Sequence, residues 1–242
     1  MSLTDQVALI TGASHGLGLS IARALAAEGA AVACVARAGR ALDDAVASLR
    51  AAGSRALALP ADVTKEPDVE QAVKRAVEEW GRLDIVVLNA GTWRGAPLHE
   101  TSEEMWDQLI DLNLKGAFLT LKHAIPRLVS RKRGTVIGID SLGGRVGQAG
   151  SAAYAASKWG LRGLLESAAL ELKPSRVRVS LIGPNMMNSE GRRIDPGSPE
   201  RDKNLESADV AALVAFICAA PDYVSIGNVT IWPLTTGIRA TG

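Results

Sequence analysis

Gln6-Val7-Ala8-Leu9-Ile10-Thr11-Gly12-Ala13-Ser14-His15-Gly16-Leu17-Gly18 is the stretch that decides the fold. Gln6 to Thr11 is a short apolar, β-branched run of the kind that forms a buried strand. After the glycines an Ala/Leu-rich pattern of helical period runs to about Glu28. Glycines between a strand and a helix let the backbone turn tightly, bring amides close to a pyrophosphate and pack helix on sheet. The helix N-terminus then offers free N–H groups and a favourable dipole to a phosphate. An ordinary glycine-rich loop has the same letters; the strand before and helix after favour the nucleotide reading.

Outward from this unit the same alternation repeats. Extended runs are expected at 31–36, 55–59, 85–88, 135–139, 177–182 and 229–232. Helical runs are expected at 40–51, 68–80, 103–128, 152–172 and 208–219. Strands separated by helices of this length imply βαβ units. The expected fold is α/β: one domain over residues 1–242, a Rossmann-type doubly wound parallel sheet of about seven strands with helices on both faces. The least regular stretch, Pro184 to Glu206, carries prolines, glycine and many charges, as functional or mobile loops do.

Composition removes several function classes. With 22% charged residues and a net charge of +1 at pH 7, the chain has no basic field for nucleic acid. No apolar run nears the roughly 18 residues that span a bilayer, and Met1 to Asp5 has no signal-peptide character. Cys34 and Cys218 lie far apart in apolar stretches, as buried thiols of a reducing compartment do. Three scattered histidines and these cysteines give no metal-ligand spacing. A cytoplasmic protein without metal is expected.

The second half holds a different constellation. Tyr154-Ala155-Ala156-Ser157-Lys158 places a phenol and an ammonium one turn apart on one helix face. A neighbouring ammonium favours the phenolate, so Lys158 is expected to lower the Tyr154 pKa. A phenol tuned this way exchanges a proton with an alcohol or ketone near neutral pH. Ser141, thirteen residues upstream at the end of an apolar run, is placed to hold the same oxygen. In the first half, the second expected strand ends at Ala36-Arg37 without a carboxylate. An acid there would repel a 2′-phosphate, whereas Arg37 can grip one. That predicts NADP(H) over NAD(H), with His15 as a second donor toward the phosphate. A solvated arginine at a helix start is the plainer alternative.

With these pieces placed, the chain resembles the short-chain dehydrogenase/reductase family along nearly its whole length. Thr11-Gly12, Gly16 and Gly18 match that family's cofactor loop, with Ser14, His15 and Leu17 in its variable positions. Asp62-Val63 matches the pair that meets the adenine, and Asn89-Ala90-Gly91 the element beside the cofactor. Asn113, Ser141, Tyr154 and Lys158 match the catalytic tetrad. The resemblance implies a cofactor half at 1–140 and a catalytic and substrate half at 141–242. It implies Tyr154 as general acid in reduction and base in oxidation. Lys158 would lower its pKa and hold the nicotinamide ribose, Ser141 would polarise the carbonyl, and Asn113 would hold a water that relays protons. It also implies a homotetramer or dimer paired through the helices at 103–128 and 152–172, with Trp106 and Phe118 as candidate contacts.

One motif departs from the family. Pro184-Asn185-Met186-Met187-Asn188-Ser189 has Asn185 where glycine is usual, and asparagine best tolerates positive φ among the other residues. Pro184, Met187 and Ser189 are still expected to grip the carboxamide. Trp159, where the family has a small residue, is expected to pack on a neighbouring element. Trp93, Leu142, Gly143, Gly144, Met186 and Met187 are candidate substrate walls, with Arg94 or Arg145 near the mouth. The favoured activity is an NADPH-dependent reductase of a ketone or aldehyde. The alternatives are a 3-oxoacyl-carrier-protein reductase, docking an acidic carrier at Arg131-Lys132-Arg133 although Leu170 replaces a second basic position; an NAD-linked polyol or sugar dehydrogenase; and a non-catalytic NADP sensor.

Overall fold

The computed structural model describes residues 2–188, 198 and 203–235. Strands β1 (Val7–Thr11), β2 (Ala31–Ala36), β3 (Ala56–Pro60), β4 (Ile85–Leu88), β5 (Gly134–Ile139), β6 (Val177–Pro184) and β7 (Asn228–Ile231) form a single sheet. Its order is β3-β2-β1-β4-β5-β6-β7, with every neighbouring pair parallel. The central strands β1, β4 and β5 are buried along their whole length. That explains why they read as unbroken apolar runs rather than as alternating ones.

Helices α1 (Gly16–Ala27), α2 (Arg40–Ala51) and, near the C-terminus, Ser207–Ala219 cover one face around Ile21, Leu42 and Val214. The other face is covered by α3 (Glu66–Trp80), by α5 (Gly116–Ser130), which follows the short helix α4 (Glu103–Ile110), and by α6 (Ala152–Leu172), around Val73, Leu121 and Leu165. Ser207–Ala219 is α7, so the sheet is doubly wound in a single Rossmann-type domain. No described helix is long and apolar enough to cross a membrane.

The chain switches direction between β1 and β4, which opens a crevice at the C-terminal ends of the strands. The glycine loop, Arg37, Asp62, Asn89, Ser141 and Pro184 all follow or end strands there.

Two local expectations change. The helix expected over 103–128 is not uniform: a π-helical turn, Asp111–Lys115, separates α4 from α5 and contains Asn113. π-turns of this kind recur at functional sites. After β6, the residue in the left-handed region is Met186 (φ 46°), not Asn185. Asn185 instead stays in sheet pairing, its N–H donating to the Ile231 carbonyl at 2.9 Å, so the turn is displaced by one residue. Beyond it Leu205 N–H donates to the Met186 carbonyl at 2.8 Å and Asn188 N–H to the Leu205 carbonyl at 2.7 Å. Ser189 and most of the irregular 184–206 stretch lie outside the described residues.

Candidate active site

The glycine loop is built by backbone constraints. Gly12 (φ 68°) and Gly16 (φ 54°) adopt left-handed conformations that other residues take at a cost. A Cβ on Gly18 would stand 2.2 Å from the Gly12 carbonyl oxygen, so only glycine lets α1 approach the strand end. Asn89 braces the loop from β4: its Nδ2 donates to the carbonyls of Thr11 (2.9 Å) and Gly12 (3.2 Å). Thr11 Oγ1 accepts from the amides of Asn89 and Ala90, both at 3.0 Å. His15 is the N-cap of α1 and makes no side-chain cap; its Nδ1 pairs with Ser14 Oγ at 2.8 Å. The first-turn amides of α1 therefore have no side-chain acceptor, and a Cβ on Gly16 would meet nothing within 4 Å. This cradle fits a dinucleotide phosphate. Leu17 is half-buried against the core and does not face open space with its whole side chain.

Beside it lies a cavity of about 860 Å³ lined by Arg37, Asp62, Thr64, Thr92 and Arg94, with acidic residues of α4 on its far wall. Arg37 is exposed at the end of β2. Asp62 Oδ1 accepts from the Thr64 amide (3.0 Å) and hydroxyl (2.8 Å). Burial alone would raise the Asp62 pKa, but these bonds and the Lys65 and Arg37 charges hold it below the ordinary value. Val63 is buried beneath, against Gly116, whose added Cβ would lie 2.9 Å from Val63 Cγ2. The residues present thus fit the adenosine end of a dinucleotide as well as its phosphates.

The reactive groups meet where β5 ends and α6 begins. Ser141 caps a short 3₁₀ turn, Leu142–Gly144, its Oγ accepting from the Gly143 amide at 3.2 Å. Gly143 lies between serine and phenol: a Cβ there would stand 3.0 Å from Tyr154 Cε1 and 3.6 Å from Ser141 Oγ. Lys158 is 6% exposed and its Nζ sits 5.9 Å from the Tyr154 ring centroid. Nζ donates to the Ile139 carbonyl at 2.8 Å. A Cβ on Gly91 would stand 3.0 Å from Asn113 Oδ1 and 3.7 Å from that Nζ, so the segment after β4 runs close beside both.

Asn113 is 1% exposed, and its amide is fully engaged. Its Oδ1 accepts from the Thr92 amide (2.8 Å), and its Nδ2 donates to the Thr92 carbonyl and to Ser157 Oγ (both 3.0 Å). Ser157 Oγ in turn donates to the Tyr154 carbonyl at 2.7 Å. Thr92 and Ser157 are the supports that the sequence left unread. Their signal was only position: Ser157 sits within the Tyr154–Lys158 turn, on the face of α6 that turns inward.

The expected lowering of the Tyr154 pKa is not the net result in the structure. Burial raises it, the Ser141 hydroxyl opposes that by hydrogen bonding, and the Asp140 charge raises it further. Burial acts on the lysine instead, pushing Lys158 down to about 8, with Asp140 pulling the other way. The reason is distance and solvent: Lys158 points its Nζ at a carbonyl, and both groups lose hydration.

Other residues fall out as follows. Trp93 is 62% exposed and Met186 37%, while Leu142 and Met187 are half-buried. Trp159 on α6 is 51% exposed, Phe118 on α5 46% and Trp106 on α4 41%. In the basic cluster, Arg131 pairs with Asp84 at 3.4 Å and Arg133 with Asp222 at 3.2 Å. Among the described residues, no group of three or more His, Cys, Asp or Glu side chains could hold a metal.

Comparison with known proteins gives a consistent picture. The family described as short chain dehydrogenase matches residues 6–195. A cis-4-hydroxycyclohexanecarboxylate dehydrogenase of Sinomonas cyclohexanicum is 39% identical over 184 residues, 76% of this chain and 74% of the relative. A 3-oxoacyl-[acyl-carrier-protein] reductase of Synechocystis sp. is 38% identical over 190 residues, 78% of this chain and 77% of the relative. The crystal structure of a metagenomic short-chain oxidoreductase in complex with NADP superposes with a TM-score of 0.84 at 38% identity, covering 96% of this chain and 99% of that one.

Proposed function

We propose that this chain, which belongs to the short-chain dehydrogenase/reductase family, is an oxidoreductase that interconverts a ketone or aldehyde and its alcohol with NADP(H), with Tyr154 handling the proton. The observation that carries the reading is the meeting of Ser141 and Tyr154 across Gly143, with Lys158 Nζ 5.9 Å from the Tyr154 ring, at the crevice that the glycine loop also faces. A dehydrogenase of a hydroxylated ring acid and a reductase of an oxoacyl group, the relatives described above, support this substrate class.

On this reading residues 1–140 mainly bind the cofactor and 141–242 supply catalysis and substrate contacts. The cradle at Thr11–Gly18, Arg37, Asp62-Val63, Asn89-Ala90-Gly91, Pro184 and Met187 holds the dinucleotide, which when bound supplies or accepts the hydride. The exposed guanidinium of Arg37, with no acid at the end of β2, supports preference for the 2′-phosphate, as does the NADP-bound structural relative. Ser141 and Tyr154 hold one carbonyl oxygen between them. Tyr154, kept protonated near neutral pH by burial, donates its proton to that oxygen in reduction and takes it back in oxidation. Lys158 balances the charge that develops on the phenol oxygen. Asn113 and Ser157 fix the pitch of α6, so that both side chains stay aimed at the crevice.

The carrier-protein reading is the second one, favoured by the Synechocystis relative. The pairing of Arg131 with Asp84 and Arg133 with Asp222 counts against it, because it leaves little free basic charge for an acidic carrier. A homo-oligomer paired through the face of Trp106, Phe118 and Trp159 accounts for their exposure. The two free, buried cysteines support a reducing, cytoplasmic setting.

The test is a panel of ketones and aldehydes, assayed with NADPH and NADH side by side. Oxidation of NADPH by at least one carbonyl, in preference to NADH, is expected. NADPH binding without oxidation across the panel would replace the enzyme reading with a cofactor sensor.

A further inference from the structure

Asp140 directly follows β5, between two residues of the site. Ile139 before it gives its carbonyl to Lys158 Nζ, and Ser141 after it faces Tyr154. Its own amide donates to the Ile182 carbonyl at 2.8 Å, which fixes it to β6. The side chain is 3% exposed and its oxygens have no ion-pair or side-chain hydrogen-bond partner; burial raises its pKa, opposed by the Ser141 amide and by the Lys158, Arg145 and Arg162 charges. Space is reserved for it: a Cβ on Gly144 would stand 2.2 Å from Oδ1 and 2.9 Å from Oδ2.

The charged groups that face Asp140 come from two elements. From α6 come Lys158 and Arg162, and from the turn after Ser141 comes Arg145. Arg162 is already committed to Glu166 at 2.8 Å. Arg145 keeps Nε and Nη2 buried without a partner. On the β6 side Gly183 lies against Arg145, a Cβ there standing 3.6 Å from its Nε, and brings no charge. Besides Lys158, the titratable neighbour is Tyr154. A buried, unpaired carboxylate costs more stability than an apolar residue of its size. Its charge acts on these neighbours through a medium that screens poorly.

We infer that Asp140 is a positioning residue: its carboxylate is the buried counter-charge that keeps protons on Lys158 and Tyr154 through the working pH range. The inference rests on the proposed reading of these two residues as the proton-handling pair. It matches the direction in which Asp140 acts on each, upward in both cases, against the desolvation that strips Lys158. Removing the charge therefore moves the pair's titration to lower pH whichever way the reaction runs. The alkaline limb of reduction and the acid limb of oxidation both shift down.

The test is the titration of Lys158 in the full chain, by NMR of ε-¹³C-labelled lysine, with the Lys158 signal assigned by its loss in Lys158→Met. Asp140→Asn keeps the shape and removes the charge; Asp140→Ser removes the charge with a smaller side chain. In both, the Lys158 transition should fall by about one pH unit relative to the native chain. A transition unchanged in both, with or without loss of thermal stability, would overturn the inference and leave Asp140 a structural residue. The titration needs no turnover, so its result is separate from the carbonyl reading, which substitution of Tyr154 decides.

Discussion

Asn113 reaches from the π-helical turn to donate to Ser157 Oγ at 3.0 Å, tying the break between α4 and α5 to the second turn of α6. Through Thr92 the same amide also holds the segment after β4. One buried side chain thus joins the three pieces of chain that surround Lys158. Replacing it by alanine removes three hydrogen bonds, one of them to the fully buried Ser157. Asn113→Ala should cost about 2–3 kcal/mol, read by urea unfolding, with turnover falling as α6 loses its pitch. Unchanged stability would show that the tie is dispensable.

Arg37 stands at the end of β2, where an acid would bind a ribose hydroxyl instead. On the proposed reading Arg37→Asp exchanges a phosphate grip for repulsion. The ratio of kcat/KM for NADPH over NADH should drop by roughly tenfold or more, the equivalent of about 1.4 kcal/mol. An unchanged ratio would remove Arg37 from cofactor selection.

Gly18 has no room for a methyl group, because the Gly12 carbonyl and Asn89 Nδ2 would lie 2.2 and 2.6 Å from it. Gly18→Ala should cost about 1–3 kcal/mol through overpacking and weaken dinucleotide binding. Thermal melting with and without NADPH separates the two effects. Full retention of the NADPH-induced shift would contradict the role of this loop.

How much of this was legible follows from the range of each interaction. The strands and glycine turn of Gln6 to Gly18 announce themselves locally, as buried parallel strands do. The order of motifs then carries Ser141, Tyr154 and Lys158 to one place. The π-turn was not legible, since Asn113 owes it to partners 21 and 44 residues away. The left-handed residue fell on Met186 rather than Asn185 because pairing with Ile231 holds Asn185 extended, and that contact is set by tertiary register. The direction of the Tyr154 shift was misread for a related reason. Helical spacing reports which groups share a face, but not how much water each one loses.

Lys158 is driven down to about 8 by burial, below its ordinary value of 10.5. Between these values the unfolded chain binds more protons than the folded one, so this group's contribution to stability improves as the pH rises through that window. Below it, the buried ammonium carries its full desolvation cost. Relative to the native chain, Lys158→Met gains by shedding that cost and loses by leaving Asp140 without its counter-charge; the gain is largest near neutral pH, and turnover is lost. Its advantage should shrink as the pH climbs past 8. Chemical denaturation across pH checks the sign, and an advantage that grows with pH would reverse the argument.

The most direct measurement is turnover by Tyr154→Phe of the best carbonyl found for the native chain, with NADPH binding followed in parallel by fluorescence. Loss of the phenol hydroxyl removes the proposed proton donor and leaves the ring packed on Gly143. Turnover should fall by at least about a hundredfold, with NADPH binding nearly unchanged. A variant that reduces the carbonyl at the native rate would contradict the account at its centre.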